Sequence, residues 1–560
     1  MKTWAKALLG SVAVVGAGLY AGGDYIRLHL NGWLAPATGP NRPVTWQRGP
    51  DAPPVGQRPP NIILIVADDL GFNDVSITGT GVAGTATPNI DAIGHEGVVF
   101  ANGYAGNATC APSRAALMSG RYATRFGYEF TPTDVKLPSW FPSSLIRTDT
   151  FFARNIANFH TDSSLKPIFD EDAAAKAPTP GAKGMPASEI TIAEQLRTRG
   201  YHNIHLGKWH LGEAAGMRPE DQGFDESLGF IIGGQMFLPE NDPDVVNSKQ
   251  EFDPIDRFLW ANLPFSVQFN GGPRFAPDRY MTDYLTGNAV KAIRANRNRP
   301  FFMYLAYNAP HTPLQALKSD YEALSGIKDH RTRVYAAMVR GVDRGVGRVM
   351  AELKAQGLDD NTLVVFTSDN GGAHYVGLKD INKPFRGWKA TFYEGGTHLP
   401  FLMRWPARIA AGSRMAAPVS HFDIFATASA AAGVPLPRDR AIDGVDVLPF
   451  VSGEATGVPH RTLFWRSGGY RVVLDNGWKL QSLDVRGGDR LYHLASDPTE
   501  QRDVAAAQPA KVAELKARLV AHDRTQKPPA WLSLVKSPIP LDRPLGSSPV
   551  NNEDYIYWAN

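Results

Sequence analysis

The residues of this chain best suited to chemistry begin at Cys110-Ala111-Pro112-Ser113-Arg114, inside the run TCAPSRAALMSGR over 109–121. Cys110 is the one cysteine in 560 residues. A lone cysteine is ordinarily a small buried hydrophobe. Here a proline suited to a first helical turn follows it, then Ser113, Arg114 and the helix-forming run 115–118. The predicted helix sets the sulfur at its N-terminus with a cation one turn on, a setting for an anionic reacting group.

Other chemistry-bearing residues stand far from Cys110 in sequence. Asp68-Asp69 and Asp369-Asn370 each close an apolar run. Capping of a turn is the plain explanation for such aspartates. The alternative is a hard-cation site: three carboxylates and an amide, with no His/Cys cluster, suit Ca²⁺ or Mg²⁺ better than Zn²⁺. Spacing leaves both open. Lys208 and His210 lie in Gly207-Lys208-Trp209-His210-Leu211-Gly212, and His311 in Ala309-Pro310-His311-Thr312-Pro313. Taken singly, these are ordinary structural or solvated side chains. Lys389 stands out because Trp388, Phe392, Tyr393 and several glycines surround it. Two motifs lead nowhere. The glycine pattern 79–84 follows no strand directly and opens no helix, so a dinucleotide site fails on context. The sequon Asn107-Ala108-Thr109 abuts the reacting residue and reads as incidental.

The elements that must position these groups alternate. Residues 61–67 are continuously apolar, as in a buried parallel strand. A helix over 189–199 stops at Gly200, and a strand over 201–206 follows. Met281, Leu285, Ala289 and Ile293 mark a helix face, and a strand over 301–307 leads to His311. A helix carrying Val334, Met338, Val342, Val349 and Leu353 precedes a strand over 363–366. This order predicts an α/β fold with a mostly parallel central sheet flanked by helices. Each strand ends in a polar cluster, and in such sheets ligands bind at that edge. A catalytic domain over 61–454 is expected, with an insertion at about 126–186 holding Trp140, Phe151, Phe152 and His160. A small α+β subdomain over 455–560 follows, with a hairpin turning at Asn476-Gly477, a strand at 491–494 and a helix over 511–522.

Lys2 and Lys6 precede an apolar run over 7–23, which predicts a signal peptide or an N-terminal membrane anchor over 1–23. Either one exports the domain, to the periplasm, the medium or the membrane surface. A Pro-rich linker over 24–60 joins it to the body. A net charge of +3 without a Lys/Arg block gives no nucleic-acid footprint.

Cys110 to Arg114, followed by Met118-Ser119-Gly120-Arg121, resembles the signature of the formylglycine-dependent, cysteine-type sulfatases, arylsulfatase-like members of the alkaline phosphatase superfamily. The resemblance continues in the family's order through Asp68-Asp69, 207–212, 310–313, 367–372 and 389–396, and into 491–500 of the C-terminal subdomain. It implies the alkaline-phosphatase-like fold and a sulfuric ester hydrolase. Cys110 would be oxidised to formylglycine (3-oxoalanine) by a separate maturation enzyme. One hydroxyl of the hydrated aldehyde would attack sulfur to give a covalent sulfate ester, and the other would allow sulfate to leave. Asp68, Asp69, Asp369 and Asn370, with modified Cys110, would bind Ca²⁺. Arg114 would hold the modified residue, Lys208 and Lys389 would clamp sulfate, and His210 would contact the diol. His311, with Lys389, would protonate the leaving oxygen.

Two rivals share these residues. One is a phosphonate or phosphodiester hydrolase of the same superfamily. The other is an exported sulfate- or glycan-binding protein in which Cys110 stays a thiol. The substrate, a sulfated small molecule or carbohydrate, is read by loops such as 126–186 and 231–275. There Trp140, Phe237, Trp260 and Phe265 could stack on an aryl ring or a sugar.

Overall fold

The computed structural model describes residues 28–559 except 30–31, 34, 54–55, 57, 133–165, 179–181 and 486–487. The expected N-terminal export segment and Trp140, Phe151, Phe152 and His160 lie outside the described residues. Among the described residues, no helix is long and apolar enough to cross a membrane.

The apolar run that opens the body forms strand β1, Asn61–Asp68, buried along its whole length. It sits near the middle of a nine-stranded sheet. The other strands, in chain order, are β2 (Val98–Phe100), β3 (His202–Lys208), β4 (Glu226–Phe230), β5 (Gln268–Phe269), β6 (Phe301–Pro310), β7 (Thr362–Ser368), β8 (Phe401–Arg404) and β9 (Ser413–Met415). Their spatial order is β9-β2-β8-β7-β1-β6-β3-β4-β5. The block β7-β1-β6-β3-β4 is parallel throughout. Only β8 and β5 run against the rest. The α/β architecture expected from the alternating pattern is the observed one.

Side chains of β1 divide between two cores, because successive residues of a strand face opposite ways. Ile63, Ile65 and Ala67 join the core built by helices α1 (Met281–Asn296) and α2 (His330–Ala355). Ile62, Leu64 and Val66 join the opposite core, which holds the apolar residues of the helices Cys110–Ser119, Ile192–Arg197 and Asp423–Ala432. A sheet covered on both faces leaves only its edges for function, and the polar residues collect at the C-terminal one.

Strands β3, β6 and β7 extend two or three residues further toward that edge than apolarity predicts. In β3 the extension passes through Gly207, at φ 101°, where a Cβ would meet the carbonyl oxygen of Ala306 at 1.9 Å. Glycine there lets the strand carry Lys208 to the sheet edge instead of stopping short of it. The expected helix over 189–199 is shorter, Ile192–Arg197, because Thr191 caps it and Glu194 completes the capping box.

Beyond the sheet, the antiparallel strands Thr462–Ser467, Tyr470–Asp475, Trp478–Leu483 and Gly488–His493 form a second sheet. Its hairpin turns at Asn476-Gly477 as expected, and the helix Pro509–Asp523 packs on it. A last hairpin, Val535–Pro540 with Tyr555–Ala559, was not foreseen from the sequence. It adds the strand Ile168–Phe169 from the 126–186 segment, so the C-terminal tail and that segment form one small sheet.

Candidate active site

Each strand-end cluster arrives at one place. Asp68 and Asp69 close β1, Lys208 closes β3, His311 follows β6, and Asp369 and Asn370 follow β7. Above this edge begins the helix Cys110–Ser119, with Cys110 as its first residue. Sγ of Cys110 lies 3.5 Å from Asp68 Oδ1 and 3.8 Å from Asp69 Oδ1. Lys389 reaches in from its loop and places Nζ 3.3 Å from the same sulfur. Ligating atoms of Asp68, Asp69, Cys110 and His311 all lie within 4.8 Å of one another.

Three carboxylates meet three cations, and Arg114 Nη2 also lies 3.7 Å from Asp68 Oδ1. Lys208 donates to both oxygens of Asp68, at 2.9 and 2.7 Å. Lys389 spans both oxygens of Asp69, at 2.8 and 2.9 Å. Arg114 donates to Asp369 from Nε at 2.9 Å, with its Nη2 at 2.8 Å from the same oxygen. Charges this deeply buried persist only when paired. Burial pushes the Asp68 carboxyl up to about 7, with Asp369 adding to the rise and Lys208 opposing it. Burial works most strongly against the Lys389 ammonium, but Asp69 together with Cys110, Tyr375 and Asp68 keeps that group well above the ordinary lysine range. The Cys110 thiol is driven far up, first by burial and then by Asp369. Both effects favour the protonated thiol over the thiolate.

Arg114 is held on Asp369, Tyr304 Oη (2.8 Å) and the Lys208 carbonyl (3.3 Å), a network that ties the cysteine helix to three strands. Both histidines are neutral. Burial pushes His311 down to about 3, with Asp69 opposing, and takes His210 well below the usual histidine range. His311 Nδ1 faces the Thr312 carbonyl at 2.6 Å and so carries the ring proton. That leaves the Nε2 lone pair directed to the cluster, 3.6 Å from Asp69 Oδ2. His210 has a left-handed backbone, φ 60°, and a buried Nδ1 without a hydrogen-bond partner in the structure. Its ring lies against Gly233, where a Cβ would stand 2.9 Å from Cε1.

The donor set fits a hard cation. Asp68, Asp69, Asp369 and Asn370 are at most 2% exposed and offer oxygen. Asn370 turns its Nδ2 to Asp69 Oδ1 at 2.8 Å and leaves its Oδ1 buried without a donor. An orphaned acceptor beside three carboxylates is the feature a bound cation would satisfy.

Sequence reasoning missed several supporting residues. Tyr304 holds Arg114. His421 bridges Ser113 Oγ (3.1 Å) and Thr367 Oγ1 (3.3 Å), joining the cysteine helix to β7. Tyr375 touches both Asp69 and Lys389. None of these has a spacing signature; each acts through packing. The sequon Asn107 is buried, so the motif offers no accessible glycan acceptor. The loop bearing Lys389 is itself anchored from the C-terminal subdomain. Lys479 Nζ lies 2.6 Å from Glu394 and 3.2 Å from Glu500, all three fully buried. Burial would raise Glu394, but Lys479 and His398 hold it down at about 2. Burial pushes Glu500 up to about 7, against the pull of Lys479. Lys479→Met should cost about 3–5 kcal/mol, because it strands buried carboxylates. Urea unfolding checks this, and Glu500→Gln should cost less, since its carboxyl is the one that protonates readily.

Comparisons with known proteins agree with this geometry. The sulfatase family model matches residues 60–434. N-acetylgalactosamine-6-sulfatase of Rattus norvegicus is 32% identical over 406 residues, 70% of this chain and 66% of the relative. The chain thus spans just under two thirds of that relative's length. Steryl-sulfatase of Homo sapiens is 30% identical over 473 residues, covering 72% of each chain. The crystal structure of Ps i-CgsB in complex with k-i-k-neocarrahexaose superposes with a TM-score of 0.67 at 31% identity, over 85% of this chain and 95% of that one. With its strand-end clusters gathered on Cys110 and this breadth of match, the chain belongs to the sulfatase family.

Proposed function

We propose that this chain is an exported sulfuric ester hydrolase, arylsulfatase-like in mechanism, that cleaves a sulfate monoester held over residue 110. The observation that carries the reading is the pairing of three cations with three carboxylates around the first residue of a helix. With a divalent cation on the carboxylates, such a site would leave ammonium groups and a helix N-terminus for a sulfate anion and for the charge that shifts on it. Residue 110, converted to formylglycine by a separate maturation enzyme, would supply a hydrated aldehyde with one hydroxyl for attack on sulfur and a second for release of sulfate. Asp68, Asp69, Asp369 and Asn370 would hold Ca²⁺, which supplies activation of an oxygen nucleophile and charge balance for sulfate.

The remaining work belongs to side chains. Lys208 and Lys389, relieved of their carboxylates by a cation, would turn their N–H groups to sulfate oxygens. Arg114 keeps Asp369 ionised and in place, and so holds the helix start in register with the strand ends. His210, with its unpartnered Nδ1, would bind a hydroxyl on residue 110. His311 presents an unprotonated Nε2. With its basicity raised beside bound anionic substrate, it would take up a proton from water and then give that proton to the leaving oxygen with Lys389 assisting.

The relatives' names include a hexosamine sulfatase and a carbohydrate complex, which favours sulfated sugars alongside aryl sulfates in the substrate test. Purified protein with residue 110 shown converted by peptide mass spectrometry should hydrolyse an aryl sulfate at least tenfold faster than the matched phosphodiester. The reverse ratio would make it a diester or phosphonate hydrolase. Converted protein that turns over neither compound, nor any member of a sulfated-sugar panel, would leave the binding-protein reading.

A further inference from the structure

Tyr375 enters the site with no assignment so far. It lies on the turn His374–Val376, five residues past Asn370, and is 9% exposed. Its hydroxyl donates to Asp69 Oδ2 at 2.8 Å and accepts from Lys389 Nζ at 2.9 Å. The ring also faces the ammonium, with Nζ 5.5 Å from its centroid. Lys389 therefore has three neighbours: the Asp69 carboxylate, the Tyr375 hydroxyl and, at 3.3 Å, the sulfur of Cys110. An ammonium has three N–H groups and a flexible four-carbon stem. With two hydrogens committed to Asp69 and Tyr375, the third is aimed at residue 110.

The turn that carries Tyr375 is itself fixed. Leu545 N–H binds the His374 carbonyl at 3.0 Å. Tyr335 donates to Asp74 Oδ2 at 2.7 Å and to the Asp69 carbonyl at 3.3 Å, which pins the backbone of the carboxylate that Tyr375 contacts. The phenol is thus a rigid strut between a carboxylate of the cluster and the lysine that would meet sulfate.

We infer that Tyr375 is a positioning residue for sulfate ester hydrolysis, acting through Lys389 by holding its ammonium over residue 110. Without the hydroxyl, Lys389 is free to settle wholly on Asp69 or to swing away on its stem. Substrate would still find the helix N-terminus and Lys208, so ground-state binding changes little. The charge that develops in the transition state loses an aligned donor, so the loss falls on kcat.

This inference rests on the sulfatase reading, and the test keeps the two apart. Wild-type protein is first shown to hydrolyse an aryl sulfate per converted residue 110; if it does not, the parent reading has failed and Tyr375 is not the cause. Given that activity, Tyr375→Phe, Lys389→Ala and the double variant are compared, each normalised to the converted fraction by mass spectrometry. Tyr375→Phe should lower kcat by about 10- to 100-fold with KM within about threefold of wild type. In the Lys389→Ala background the same substitution should change kcat by less than about twofold, because the strut then has nothing to aim. Equal losses in both backgrounds would overturn the inference and make Tyr375 a structural support. A rise in KM at unchanged kcat would also overturn it, by making the hydroxyl a substrate contact. If Tyr375→Phe folds poorly, Tyr375→Leu in the same two backgrounds gives the same comparison.

Discussion

Cys110→Ala is expected to lower turnover by a factor on the order of 10⁴ to 10⁶ while leaving the protein folded, the size of loss seen when a covalent nucleophile is removed. Alanine is a good residue for the first turn of a helix, and the side chain it replaces packs mainly against carboxylates and Lys389. Thermal unfolding should therefore shift by only a few degrees. What is lost is specific to residue 110: the cations and the helix N-terminus remain, so a sulfate-containing inhibitor should still bind within about tenfold of wild type. Cys110→Ser sharpens the point. A serine hydroxyl could attack sulfur once but has no second hydroxyl on its carbon to expel sulfate, so a peptide heavier by SO₃ should accumulate without turnover. The buried thiol argues the same way from the other side. Held protonated by burial and by Asp369, it is a poor nucleophile as it stands, and activity should track the fraction of Cys110 converted. Turnover within about tenfold of wild type in Cys110→Ala would remove residue 110 from the chemistry.

The sequence carried the strand-end clusters because each ends a run apolar enough to be buried on both faces. Asn61–Asp68 is the plainest case: eight buried residues admit only a central parallel strand, and its end has to meet the ends of its neighbours. Once the sheet is parallel, Asp68, Lys208, His311 and Asp369 converge by topology, however far apart they stand in the chain. Tyr375, Tyr304 and His421 could not be found that way. A buried tyrosine or histidine looks the same in sequence whether it fills a core or braces a lysine, and its partners here are 14 to 308 residues away. The last hairpin escaped for a different reason. Pro538 and Pro540 lie within Val535–Pro540, and prolines in a run argue against a strand unless it is short and lies where ladder hydrogen bonds can be spared. The Lys479–Glu394–Glu500 cluster was equally silent, since its members sit on a hairpin, a short helix and a loop that only the folded chain brings together.

Removal of divalent cation should abolish turnover and lower thermal stability together, and added Ca²⁺ should restore both. The reason lies in the charge balance around residue 110. Asp68, Asp69 and Asp369 are matched in number by Lys208, Lys389 and Arg114. In that arrangement Lys208 and Lys389 are spent on carboxylates and are poor partners for sulfate. Asp68, Asp69, Asp369 and Asn370 would hold a divalent cation that supplies their charge balance, and Lys208 and Lys389 would then be free to turn to an anion. Binding only to the folded state, the cation stabilises by about 2.7 kcal/mol at a hundred times its dissociation constant. The melting temperature should therefore rise with Ca²⁺ concentration even in Cys110→Ala, where no turnover can be measured. Asn370→Ala should raise the Ca²⁺ concentration needed for that rise by roughly tenfold or more, since it removes a buried acceptor of the strand-end cluster that has no donor. Zn²⁺, which prefers nitrogen and sulfur ligands, should restore activity poorly at this oxygen-rich site. A melting temperature and a turnover rate both unmoved by chelation would show that the carboxylates are fully served by Lys208, Lys389 and Arg114, with no cation in the working site.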